Sequence, residues 1–192
     1  MKKIVIAALA FVFLAPAAYA AGEHEGPVRE LVNQQIKGWT TNSTIVAAVK
    51  AQNDKHAGLS QADIDALDKK WRAQTGASSK PMINELLGRP ASKKLVEYRN
   101  GGEGLFTEIF VMDNKGLNVA QSDVTSDYWQ GDEAKWQKTF LAGPDGMFID
   151  EVEFDESTQT YQAQVSISII DPESGDAIGA ITVGVNVELL AN

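Results

Sequence analysis

Four aromatic residues, Tyr128, Trp129, Trp136 and Phe140, stand within one stretch, 123–146, together with Asp132, Glu133 and Lys135. Rings beside a few charged side chains are what a small-molecule site needs, because apolar walls exclude water and convergent polar groups fix orientation. Covalent catalysis finds less to build on. The chain has no cysteine, and His24 and His56, its two histidines, show no metal-ligand spacing. No G-x-S-x-G elbow presents a serine. Asp150 and Glu151 form a carboxylate pair, yet strand neighbours point to opposite faces, so the pair is not expected to converge as acid and base. The Asp, Asn and Gly turns do not match a calcium loop. The residues therefore predict a binding protein with no catalytic residue, cofactor or metal. Each aromatic also has a plain account as a cover over the edge of a core, and a solvated face accounts for at least two of Asp150, Glu151 and Glu153.

These residues must be positioned by two halves of different periodicity. From Pro27 to about Asp54, Val28, Leu31, Val32, Ile36, Trp39, Ile45, Val46 and Val49 recur at threes and fours, which predicts one long helix or two in line with a weak patch at 38–43. Ser60 with Asp63 resembles a capping arrangement that opens a second helix through Ile64, Leu67 and Trp71. Pro81 suits the first turn of a short helix over 82–87, which Gly88 closes. A further turn or two is expected around Lys94 to Arg99. Beyond Gly104 the period becomes two. Strands are predicted at 105–112 and 117–122 across Asp113-Asn114-Lys115-Gly116, at 148–154 and 161–170 across Asp155 to Thr158, and at 177–189. The whole is α+β: N-terminal helices (21–104) on a five-stranded antiparallel sheet (105–192), forming one domain. The segment 123–146 fits neither period. Connections of that length are usually functional or disordered, and its aromatics argue against disorder.

The ends and the composition place the chain. Lys2 and Lys3, the apolar run Ile4 to Leu14 and the A-x-A site Ala18-Tyr19-Ala20 make residues 1–20 a cleavable signal peptide cut before Ala21. The run is too short for a bilayer, which takes about 20 residues. No other stretch is long and apolar enough to span, and without cysteine there is no lipid anchor. The expectation is a soluble protein of the periplasm. The formal charge of −9 becomes more negative once the basic leader is removed, which disfavours nucleic acid and anionic lipid as partners.

The segments EIFVMDNKGLNVAQS (108–122), SDYWQGDEAKWQK (126–138) and SGDAIGAITVGVNVELL (174–190), in this order after a long helix, resemble the single Cache (PDC-like, PAS-related) extracytoplasmic sensor domains. The resemblance covers nearly the whole mature chain. It implies a ligand held between the sheet and the loop joining the second and third strands, with Tyr128, Trp129 and Trp136 as pocket walls, Asp150 as a polar contact, and Asn186 where amino-acid-binding members carry an aspartate. Those members also have a loop arginine ahead of a Trp-Tyr pair. Here Glu133, Ala134 and Lys135 stand instead, before Trp136 and Gln137. Two readings stay open: Lys135 serves a ligand carboxylate as a point charge, or Asp132 and Glu133 favour a cation. The resemblance thus implies a periplasmic small-molecule binder without its own transmembrane and signalling parts. Its partners would be a small polar metabolite and a membrane-bound sensor that reads the liganded form. The alternatives are an interaction protein that forms a homodimer through the N-terminal helix and, last, a carboxylate enzyme.

Overall fold

The computed structural model describes residues 22–156 and 158–190; the expected signal peptide, 1–20, lies outside the described residues. The N-terminal run begins as helix α1 (Glu25–Leu31), passes through a π-helical turn (Val32–Ile36) and continues as α2 (Lys37–Thr40). The chain then breaks. Asn42 Oδ1 accepts from the backbone N–H of Thr44 (3.0 Å) and Ile45 and caps α3 (Ser43–His56), as a short polar side chain does for the orphan donors of a first turn. The weak patch in the periodicity is this junction. Helix α4 (Gln61–Thr75) opens with the capping box of Ser60 and Asp63, and the hydrogen bonds to Ser60 hold the Asp63 carboxyl below its usual range. Helix α5 (Pro81–Gly88) starts on its proline.

Helix α6 (Pro90–Gly101) corrects the expected one or two turns around residues 94–99 to three. Its buried side chains, Ala91, Ser92 and Leu95, include only one large apolar residue, too few for periodicity to mark its start. Pro90 at the first position supplies the missing signal, since a pre-set φ costs nothing where no N–H partner is needed.

The strands are β1 (Phe106–Met112), β2 (Asn118–Gln121), β3 (Met147–Asp155), β4 (Thr160–Ile170) and β5 (Ala177–Asn186). All neighbours pair antiparallel, in the order β2-β1-β5-β4-β3. The first and last strands therefore lie side by side at the centre, and the two hairpins form the flanks. The last strand stops at Asn186 instead of running to Leu189: the Asn186 side chain accepts from Glu188 N–H and turns the chain into a 3-10 turn, Val187–Leu189.

One face of the sheet meets the helices. Ile109, Val111, Val165, Ile167, Ile169, Ile181, Val183 and Val185 pack against Val28, Val32, Ile36, Ile45, Val49 and Leu95 in one buried cluster. Trp39 stacks on Tyr98 at 4.7 Å and meets Phe106 edge-on at 5.0 Å. A second cluster joins α4 and α5, through Ile64, Trp71, Ile83 and Leu86, to Leu117 and Tyr128. The stretch between β2 and β3 carries a short helix, α7 (Ala134–Gln137), and a 3-10 turn, Phe140–Ala142. It covers part of the other face, where Trp136 and Phe140 pack on Phe110, Met112 and Ala180.

Candidate functional site: the cavity between the sheet and the 122–146 loop

The loop is held at its root by the β1–β2 turn. Asp113 is fully buried. Its Oδ1 accepts from the N–H groups of Lys115 and Leu117, both at 2.9 Å, and its Oδ2 from Gln52 Nε2 (3.0 Å) and His56 Nδ1 (2.8 Å) of α3. The Asp113 carbonyl accepts from the Trp136 indole (3.0 Å), and the Lys115 carbonyl from the Trp129 indole (2.8 Å). Arg89 reaches the same network through Gln52 Oε1 and the Val119 carbonyl. Gly116 has φ +82°, and a Cβ there would stand 2.5 Å from Gly131 Cα, so only glycine lets loop and turn approach this closely. A turn whose composition is explained by its geometry alone thus also fastens the helices and the loop to one buried carboxylate.

Beneath the loop, the sheet face is polar. Glu108 pairs across from Gly184, Phe110 from Thr182 and Met112 from Ala180; on β4, Gln162, Gln164, Ser166 and Ser168 occupy the same face. Gly184 leaves room where Thr107 donates to Gln162 Oε1 across it, because a Cβ at Gly184 would lie 2.2 Å from Thr107 Oγ1. Two cavities open here. One, of about 310 Å³, is bounded by Glu108, Phe110, Thr125, Asp127 and Gln130. The other, of about 360 Å³, is bounded by Asp150, Glu151, Glu153 and Gln162. Glu133, Lys135 and Gln164 line both.

The charges are arranged unevenly. Lys135, its side chain 15% exposed, lies 2.8 Å from Glu133 Oε2 and places its ammonium 5.6 Å from the Phe110 ring centroid. Glu108 accepts from Gln164 Nε2 at 2.8 Å. Burial raises the Glu108 carboxyl above its ordinary range against the smaller lowering by Gln164 and Lys135, since desolvation disfavours the charged form. Asp127 lies 2.6 Å from Arg72 on α4.

Asp150 and Glu151 correct an expectation. Between Ile149 and Val152 the β3–β4 register shifts, so two residues of β3 stand where one would pair. A bulge of this kind breaks strict alternation, and both residues border the same cavity. Glu151 and Glu153 are exposed, Asp150 half-buried. The backbone carbonyl of Asp150 accepts from His24 Nε2 at 2.9 Å, which pins the start of α1 to the bulge.

Of the residues singled out from sequence, Lys135 and Asp150 border the cavities. Tyr128 is buried in the second cluster, stacked on Trp71 at 5.4 Å. Burial raises its phenol pKa. Its N–H and that of Trp129 both donate to Asp68 Oδ1 of α4. Trp136 stacks on Phe140 at 5.2 Å and backs Phe110. Asp132 is exposed outside both cavities. Asn186 borders a separate opening near Arg99, Thr160 and Leu189. Glu108, Gln162 and Gln164 went unselected. Their signal is the alternation Gln162, Gln164, Ser166, Ser168 against Ala163, Val165, Ile167, Ile169, which reads equally well as a solvated face.

No family model matches the chain, and no curated protein matches it. Solved structures do. The sensor domain of the V. cholerae histidine kinase DctB aligns over 88% of this chain and 56% of its own length, at 12% identity and a TM-score of 0.44. The ligand-binding domain of the Campylobacter jejuni chemoreceptor Tlp3, in complex with 4-methylisoleucine, aligns over 87% and 61%, at 14% identity and 0.40. The E. coli DcuS sensor domain aligns over 66% and 93%, at 17% identity and 0.37. The chain thus spans less than two thirds of the length of the first two. The solved domains to which this chain is similar are sensor domains of the Cache, PDC-like type.

Proposed function

We propose that this protein is a small-molecule-binding, sensor-type protein of the periplasm, exported by its leader, that holds a small polar ligand between the 122–146 loop and the sheet. The observation that carries the reading is the pair of cavities with Glu108, Lys135, Asp150 and Gln164 around them. The loop that roofs this face leaves polar-lined cavities where apolar side chains could have filled the space. Here polar groups are held in defined rotamers by Gln164 to Glu108, Thr107 to Gln162 and Lys135 to Glu133, the preorganised polar contacts that orient a bound molecule. Lys135 and Asp150 line the ligand site in this reading, with Glu108 and Gln164 beside them. Tyr128, Trp129 and Trp136 hold the loop in place, and Asn186 holds the strand end. A membrane-bound sensor that recognises the liganded form is the proposed partner.

A thermal-shift screen of the protein against amines, amino acids, small carboxylates and divalent cations tests the reading. A ligand at a hundredfold excess over its Kd stabilises the folded state by about 2.7 kcal/mol, a shift of a few degrees. The reading requires that shift to fall in a Gln164→Ala variant of intact fold. No shift with any probe leaves the cavities without a ligand role.

One observation favours dimerisation as a second reading: a groove of about 450 Å³ between α3 and α6, lined by Ala47, Ala48, Ala51, Pro90 and Ala91. Small apolar side chains at a helix crossing leave room for close approach of another helix. A molecular mass that doubles with concentration supports it, and a constant monomer mass removes it.

A further inference from the structure

We infer that the ligand of the cavity bordered by Glu108 and Phe110 is an organic ammonium ion, with Glu108 as its counter-ion; the inference rests on that cavity being the ligand site. The charges around the cavity that Glu108 borders are Glu108 on β1 and Glu133 and Asp127 on the loop, the last held by Arg72 at 2.6 Å, against Lys135 on α7. Asp150, Glu151 and Glu153 add negative charge around the adjoining cavity, which shares Glu133, Lys135 and Gln164. Lys135 is already engaged by Glu133 at 2.8 Å, and no arginine borders either cavity. An entering carboxylate would find no free cation and several like charges, and like-charge juxtaposition costs several kcal/mol.

Glu108 has the geometry the ammonium needs. Its Oε1 is fixed by Gln164 Nε2 at 2.8 Å, while no described residue donates a hydrogen bond to its Oε2. The Phe110 ring lies in the same wall. The chain's own alkylammonium, Lys135 Nζ, stands 5.6 Å from that ring and against a carboxylate, so the surroundings already stabilise such a group. A carboxylate and an aromatic face together are the two complements of an ammonium. A metal cation asks for more: calcium takes six to eight oxygens, and among the described residues no three His, Cys, Asp or Glu side chains converge for a metal.

Isothermal titration of the protein with butylamine, 1,4-diaminobutane, succinate, glutamate and calcium chloride tests this, with Glu108→Gln and Lys135→Met as variants whose thermal midpoints report their folding. The expected result is that an amine binds, that Glu108→Gln weakens it about tenfold or more, as loss of a charged hydrogen bond does, and that Lys135→Met tightens it by removing the competing cation. Amine binding that Glu108→Gln leaves intact overturns the inference. Succinate or glutamate binding that Lys135→Met abolishes overturns the ammonium while keeping the cavity as the ligand site, and so does tight calcium binding. If no probe binds here or in the wider screen, the cavity reading itself falls.

Discussion

The two faces of the sheet are built from the same strands for opposite ends. On the helix face, β-branched and aliphatic side chains from β1, β4 and β5 are buried against α1, α3 and α6. On the loop face, those strands present Glu108, Gln162, Gln164, Ser166 and Thr182, roofed by a loop that leaves two cavities. Apolar burial is non-directional and scales with area, so the helix face can carry the stability of the domain without specifying anything else. Polar burial costs unless each group is answered. The groups left within reach of a cavity are therefore the ones free to answer a ligand. On the proposed function, stability and recognition are separated by 180° along each strand, and Asp113 is where the two sides meet.

Substitutions can break or sharpen this division. The largest effect is expected at the junction. Asp113→Ala leaves His56 and the N–H groups of Lys115 and Leu117 without their acceptor and removes one acceptor of Gln52, and each buried donor left unsatisfied costs about 1–3 kcal/mol. Urea unfolding should show that loss together with a weakened loop, seen as faster amide exchange at Trp136. Next comes the helix face. Ile181→Ala should cost about 2–5 kcal/mol yet leave ligand affinity unchanged where the variant is folded, and a matching loss of affinity would show that the faces are not independent.

A smaller cost is expected on the loop face. Gly184→Ala drives a methyl into the Thr107–Gln162 hydrogen bond and should cost about 1–3 kcal/mol, as overpacking does, while disturbing the cavity as much as the fold. An unchanged affinity there would count against the site. The smallest effect is at Glu108, and its sign is specific. Its folded pKa is raised by burial, so the native state holds a proton that the unfolded chain has already lost. Stability therefore falls as the pH rises from the unfolded carboxyl's value of about 4.3 to the raised folded one, and is flat above it. Glu108→Gln should remove that fall, so the variant gains on the wild type as pH increases through this window. Parallel curves for the two proteins would refute the assignment.

Local signals reported on local structure. The Ser60–Asp63 box, the proline starts and the D-x-x-G turn concern neighbours a few residues apart, and the period change at Gly104 concerns burial along one element. Each of these was legible. The loop was legible as an exception, and its aromatics as residues that must be buried. What they are buried against was not, because Tyr128 meets Trp71 on α4 and Trp136 meets Asp113 only after the chain has closed on itself. The polar residues of the cavity were hidden for the same reason: Glu108 and Gln164 lie 56 positions apart, and each alone is an ordinary outward strand residue.

The sequence by itself determined the helices and strands, the α+β class and the position of one exceptional loop, since these follow from backbone sterics and the period of apolar residues. Only the tertiary structure decided the strand order, the bulge that sets Asp150 and Glu151 beside one cavity, and the loop-face polar groups that surround it. Those depend on which distant surfaces come to lie together, and pairing between strands far apart in the chain leaves no mark on the local pattern of either.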